Sequence, residues 1–354
     1  MIRIILLLVA LVCAAQATAQ QGNRFEGEQV NGKYHGHGYL HTDRNISYYG
    51  EFDHGNPVGR FVRYRFDEDR DYSVDYGEWY QGIFVPDPLL ALTHTQHYIL
   101  KKISNEDEVR LDGLIQNLSR PVANGSHLFY LVVGGDGSDD VFRSEAGIVS
   151  DAINHRFGAN RQGIVLVNDR HYQRWPLATR KNIRRSLDAI ITTMDTEQDV
   201  LLIHLASHGG QSGELVLQQP GLPLQLLYPA DLNKMLSAAP SLSMVLVVSA
   251  CQSGKWLQPM SASDRIILTS ARHDRPSYGC GSRSEITWFS DLIYRTYGIA
   301  LEAPEQLVNK VQQAIAEREY REGVAENKRS LPQALPGDRH ADIAARIRES
   351  IREQ

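Results

Sequence analysis

The sequence predicts an α/β protein, a mostly parallel sheet with helices on both faces, plus a small N-terminal module of repeated β-hairpins. Three observations predict it. Strand-length apolar runs alternate with amphipathic helical segments from about residue 127; a glycine and aromatic pattern recurs between residues 25 and 84; and two apolar runs end abruptly in His208-Gly209 and Ala250-Cys251. At 42% hydrophobic and 22% charged, the chain can bury a core, which argues against a disordered, collagen-like or coiled-coil protein. With a net charge of −5 and no Lys/Arg run interleaved with aromatics, no nucleic-acid partner is expected.

Residues 1–19 read as a signal peptide. Arg3 precedes the apolar run Ile4 to Ala15, too short to span a bilayer comfortably, and Ala17-Thr18-Ala19 offers a small-x-small cleavage site. A periplasmic or secreted location is expected, with no membrane span once the signal is removed. Cleavage would leave two cysteines, Cys251 and Cys280, which could pair but form no disulfide framework.

Residues 25–84 repeat. Phe25-Glu26-Gly27-Glu28, Tyr49-Gly50-Glu51-Phe52 and Tyr76-Gly77-Glu78-Trp79 are each followed by a spaced glycine, at Gly32, Gly55 and Gly82. Aromatic residues beside glycine turns read as β-hairpins whose rings pack on the next hairpin. The module resembles MORN repeats, and the resemblance implies a protein or lipid contact; a plain packing or spacing module is the alternative. Pro86-Asp87-Pro88 closes it, and residues 85–126 read as a helical connector.

The second domain is expected over residues 127–325. Its strands are Leu128 to Val133, Gly163 to Val167, Val200 to Ala206, Met244 to Ser249 and Arg265 to Ser270. Ile148, Val149, Ala152, Ile153 and Phe157 share one helical face, with Ser144 as N-cap and Gly158 at the C-terminus. Thr179 caps a second stripe of Ile183, Leu187, Ile190, Ile191 and Met194, and a third helix runs from Ala230 to Ser237. In such sheets the chemistry sits at the carboxyl ends of the strands.

If the strands ending at Ala206 and Ser249 are neighbours, His208 and Cys251 lie side by side. A thiol is a nucleophile only as thiolate, and an imidazole within reach can take its proton and later give one to a leaving amine. The backbone N–H groups of Gly209 and Cys251 are then natural oxyanion donors. His204, alternating with apolar neighbours inside its strand, reads as a satisfied core histidine rather than a second base.

This strand-Ser-His-Gly and strand-Ser-Ala-Cys-x-Ser-Gly pairing resembles the legumain family of cysteine peptidases, within the caspase-like group and closest to bacterial secreted members. The similarity covers Leu128 to Gly298, with Val132 to Glu145 matching the first strand and its loop and Leu268 to Asp291 matching the segment after the catalytic strand. It implies a caspase-like α/β fold, peptide or protein substrates, hydrolysis through an acyl-thioester, and no cofactor. Legumain's His-supporting asparagine falls at Asp140, a possible orienter of His208. Of its substrate-pocket positions, Arg143 lies beside the arginine's place, Ser249 replaces an acidic residue, and Ser277 and Asp291 match. Asparagine specificity is therefore not carried over; an acidic pocket containing Asp291 would favour a basic or amide side chain.

Cys280 reads as a buried thiol, a redox partner of Cys251 or an element of the substrate wall. The histidines of the repeats and connector show no zinc spacing, so no metal is expected. Residues 326–354 read as a polar tail, its last helix exposed apart from the narrow stripe Ile343, Ile347 and Ile351. The function expected is that of a secreted cysteine endopeptidase. The alternatives are a transpeptidase or ligase using the same dyad, and a repeat-based binding protein whose peptidase-like domain is inert.

Overall fold

The computed structural model describes residues 23–43, 46–66, 72–80, 83–86, 106–121, 125–158, 161–169, 174–219, 225–280, 284–299 and 303–352. The expected signal peptide and the Asp87-Pro88 stop lie outside the described residues. The chain divides into two compact units, Met1–His97 and Tyr98–Gln354.

The first unit is a six-stranded antiparallel meander of β1 (Arg24–Val30), β2 (Lys33–Asp43), β3 (Ile46–Asp53), β4 (Asn56–Phe66), β5 (Tyr72–Tyr80) and β6 (Ile83–Pro86). The hairpins follow from the repeat. Asn31-Gly32 and His54-Gly55 each place two consecutive residues at positive φ, as a tight two-residue turn between right-twisted strands requires. Inside the strands glycine serves a different purpose: a Cβ on Gly38 would stand 2.4 Å from the Phe25 ring, and one on Gly50 2.6 Å from the Phe61 ring. The rings therefore lie flat on bare backbone, and Phe25, Leu40, Phe52, Phe61 and Phe84 form the buried face.

The second unit begins with helix α1 (106–116). Then come β7 (Leu128–Gly134), α2 (Asp140–Phe157), β8 (Arg161–Val167), α3 (Arg180–Thr193), β9 (Val200–Ala206), β10 (Leu215–Leu217), β11 (Gln225–Leu227), α4 (Pro229–Met235) and β12 (Met244–Ser249). The chain ends in α5 (Leu257–Met260), β13 (Arg265–Thr269), α6 (Trp288–Asp291), α7 (Pro304–Arg321), β14 (Gln333–Pro336) and α8 (His340–Arg352). The sheet order is β14-β13-β12-β9-β7-β8, with β14 alone antiparallel. Strand residues alternate between two cores. Phe129, Leu131 and Val133 face Ile183 and Leu187 of α3, while Leu128, Tyr130 and Val132 face Val149 and Ile153 of α2 and Val311 of α7. Burial on both faces explains why the strands read as unbroken apolar runs.

Thr179 caps α3 as expected, its hydroxyl accepting from the Asn182 N–H at 3.1 Å. Two expectations are corrected. Ser144 is not an N-cap: α2 begins at Asp140, with Asp139 in the capping position. Helix α1, within the expected helical connector, packs into the second unit: Leu111 is buried in the α3-side core and the Asp107 carboxylate accepts from Leu177 N–H at 2.6 Å and from the Asn182 amide at 2.7 Å. Residues 326–354 are not an exposed tail: β14 extends the sheet and α8 buries Ile343 and Ile347 against it, joining the α2-side core. The four-residue isoleucine spacing marked a covered face.

Candidate active site

The order of the sheet makes the site. Strand β7 lies between β8 and β9, so the chain leaves β7 toward one side and reaches β9 from the other. The loops leaving the carboxyl ends of β7 and β9 thus diverge, which opens a crevice at this switch point. Strands β9 and β12 pair in parallel up to Ala206 opposite Ser249. His208 and Cys251 each lie two residues beyond that last pair. The approach is close: a Cβ on Gly209 would stand 2.2 Å from the Cys251 carbonyl oxygen, so no other residue fits without moving the backbone at Cys251.

His208 is held from the β7 side. Its Nε2 lies 2.7 Å from Asp139 Oδ2, and the Phe142 ring meets the imidazole edge-on at 4.9 Å between centroids. A carboxylate only accepts, so Nε2 is the donor in this contact. Burial disfavours the imidazolium, but the hydrogen bond to Asp139 and the charges of Asp136 and Asp139 outweigh it, and the His208 pKa is raised above its ordinary value. Asp136 is itself fully buried, its Oδ1 accepting from the N–H and hydroxyl of Ser138. Burial raises its pKa against the opposing influence of His208.

Cys251 is held from the β13 side. Its Sγ accepts from the Ser277 N–H at 3.3 Å and lies 3.8 Å from the Ser277 carbonyl oxygen. The turn beneath it is cross-braced: Ala250 N–H donates to Ser270 Oγ at 2.9 Å, Ala271 N–H to Ser253 Oγ at 3.0 Å and Gln252 N–H to the Arg275 carbonyl at 2.8 Å. Gln252 adopts φ of 56°, strain that those bonds hold in place directly after Cys251. Buried Trp256 then ties this turn to the loop after His208 through its indole N–H on the Gly213 carbonyl. Gly209 bridges Leu215 in the wide pattern. The bonds run from Gly210 N–H to Glu214 and from Val216 N–H to His208, leaving the Gly209 N–H outside that pairing.

Of the remaining expected residues, the structure brings some to the site and not others. The carboxylate in contact with His208 is that of Asp139, not Asp140. Asp140 is the first helical residue, 56% exposed, and its carboxylate lies 3.7 Å from Arg143. Arg143 is half-exposed and also lies 3.7 Å from Asp169, at the end of β8. Ser277 borders the sulfur through its backbone. Ser249 is no pocket wall: it is buried, sharing a 2.9 Å hydrogen bond with Thr287 Oγ1. The Asp291 carboxylate pairs with Arg295 one turn further along, at 3.4 Å, so its charge is already met. Cys280 packs against Val141, Phe142 and Ala206, its Sγ 3.9 Å from the Ser277 carbonyl, and is not bonded to Cys251.

Sequence reasoning missed Asp139, Asp136 and the network under the site. His204 is fully buried between Glu145 Oε1 at 3.0 Å and Tyr294 OH at 3.1 Å, while Glu145 also accepts from Ser290 Oγ and Thr287 N–H. Burial opposes ionisation of Glu145, but these donors, His204 first, hold its pKa below the ordinary value. A mid-strand histidine with a glutamate on the facing helix was the available signal.

Residues 186–332, which span β9, His208, β12 and Cys251, match the model of the Peptidase C13 family, and the match supports a cysteine peptidase domain. Two solved structures resemble the chain. Caspase-1 from Spodoptera frugiperda is 16% identical, with 62% of this chain and 90% of that chain covered and a TM-score of 0.41. A secreted C11 cysteine protease from Bacteroides thetaiotaomicron, in complex with an irreversible peptide inhibitor, is 11% identical, with 62% and 68% covered and a TM-score of 0.41. No curated protein sequence matches.

Proposed function

We propose that the protein is an exported cysteine endopeptidase. The observation that supports the reading is the β9–β12 register, which pairs Ala206 with Ser249 two residues before His208 and Cys251, together with the Asp139 carboxylate 2.7 Å from His208 Nε2. In this reading His208 Nδ1 takes the Cys251 thiol proton, and the thiolate attacks the scissile carbonyl carbon. The N–H groups of Gly209 and Cys251 receive the developing oxyanion. The imidazolium, stabilised by Asp139 and Asp136, gives its proton to the leaving amine, and water then hydrolyses the acyl-thioester. Export rests on Arg3 and the Ile4 to Ala15 run. With Ser249 buried and Asp291 paired, no residue preference is assigned.

The test is labelling of the purified protein with a peptide bearing a thiol-reactive electrophile, alongside hydrolysis of a mixed peptide pool. Wild type labels at Cys251 and cleaves; Cys251→Ala does neither, with hydrolysis reduced by about 10⁴-fold or more. Equal labelling and cleavage by the two proteins would overturn the reading.

A further inference from the structure

We propose that the N-terminal hairpin sheet carries a divalent metal site of zinc type, formed by His35, Asp53 and His54. His35 is distant in sequence from the adjacent Asp53 and His54, but the fold joins them. The Gly55 N–H donates to the Tyr34 carbonyl at 2.8 Å, which clamps the β3–β4 turn onto β2 next to His35. His35 Nδ1 then lies 3.4 Å from Asp53 Oδ1, and His54 Nδ1 lies 2.6 Å from the same oxygen. One donor atom from each residue falls within 4.8 Å of the others.

The spacing suits a tetrahedral ion. Zinc–nitrogen and zinc–oxygen bonds of about 2.0–2.2 Å put neighbouring donors roughly 3.3–3.6 Å apart. The His35–Asp53 separation already has that value. The His54–Asp53 contact must open by about 1 Å; the two side chains are 69% and 58% exposed, and the His54 ring meets the His35 ring edge-on at 5.7 Å between centroids. A second observation points the same way. His35 Nδ1 is buried from solvent and makes no hydrogen bond, although it faces this carboxylate. An occluded ring nitrogen without a hydrogen bond is a position that a metal ion would satisfy. Two imidazoles and one carboxylate suit zinc, nickel or copper and are poor for calcium or magnesium. Water would take the fourth position. The bound ion would staple β2 to the β3–β4 turn.

The turn itself supplies a clean variant. His54 sits at φ of 50°, and the equivalent position of the first hairpin is Asn31 at φ of 52°. His54→Asn therefore removes the ligand while keeping a residue that this backbone accepts. Zinc binding is measured by calorimetry on the full chain in a Cys251→Ser/Cys280→Ser background, so that neither of these thiols can capture the ion. The expected result is one zinc per chain and no calorimetric response to calcium or magnesium. Affinity should fall about tenfold or more in both His35→Gln and His54→Asn. Cobalt substitution should give the visible bands of a nitrogen and oxygen site with no thiolate charge transfer. Thermal unfolding without metal should match between the parent and His54→Asn, and only the parent should gain stability from zinc. No saturable zinc uptake, or uptake unchanged by both substitutions, would overturn the site. Neither result bears on the peptidase reading.

Discussion

His204 and His208 stand four residues apart on one segment, the first inside β9 and the second just past its end. Each meets a carboxylate supplied by α2, His204 taking Glu145 and His208 taking the N-cap Asp139. His204 and Glu145 have no exposed surface, and Tyr294, Ser290 and Thr287 fill the remaining hydrogen-bonding positions. His208 and Asp139 keep 19% and 13% exposure, and one ring nitrogen stays outside the ion pair. The same chemical pair thus fastens helix to sheet in one place and, in the proposed mechanism, moves a proton in the other. Position relative to the strand end makes the difference, because only beyond the last ladder bond does the side chain leave the packed layer.

The comparison can be broken at either pair. Glu145→Ala should lower unfolding free energy by about 3–5 kcal/mol in chemical denaturation, since it strands His204 and removes the acceptor for Ser290 and Thr287. Thiol labelling should persist wherever that variant is still folded. A fully stable Glu145→Ala without labelling would reverse the roles of the two pairs.

Asp139→Asn is the counterpart and should act on rate. The expected loss in kcat/KM is about 10²-fold. The inflection belonging to His208 should move to lower pH, because burial then works against the imidazolium with only Asp136 opposing it. The sign for stability follows from the raised folded pKa: wild type exceeds Asp139→Asn most below the ordinary imidazole value of 6.5, and the gap closes as pH rises past the raised value. An unchanged pH–rate profile would mean that Asp139 does not set the imidazole.

Ser249→Ala should have the smallest effect. It removes one buried hydrogen bond worth about 1 kcal/mol, while Thr287 Oγ1 keeps the Ser290 N–H. Peptide preference should stay the same; a changed preference would return Ser249 to the substrate pocket.

The strands and main helices were legible because a sheet covered on both faces writes continuous apolar runs, and helices laid on it write stripes. His208 and Cys251 were legible for the same reason, as polar residues that end such runs. Asp139 was not, because its role depends on the helix start. Ser144 looked like the cap, yet α2 begins at Asp140, and at a helix start a one-residue difference turns a carboxylate from the crevice to solvent. Ser249 was misjudged because strand alternation carries it under Thr287 rather than toward a substrate. The isoleucines of α8 and the pairing of His35 with His54 were hidden by long-range packing: sequence spacing shows a stripe or a histidine, but not the surface or turn brought against it.

The most direct measurement is the alkylation rate of Cys251 by a small haloacetamide as a function of pH, in wild type and in His208→Ala. With the imidazole beside the sulfur, wild type reacts well below the ordinary thiol range near pH 8.5, with an inflection that vanishes in His208→Ala, whose rate follows a simple thiol. Superimposable profiles for the two proteins would contradict the pairing of His208 with Cys251.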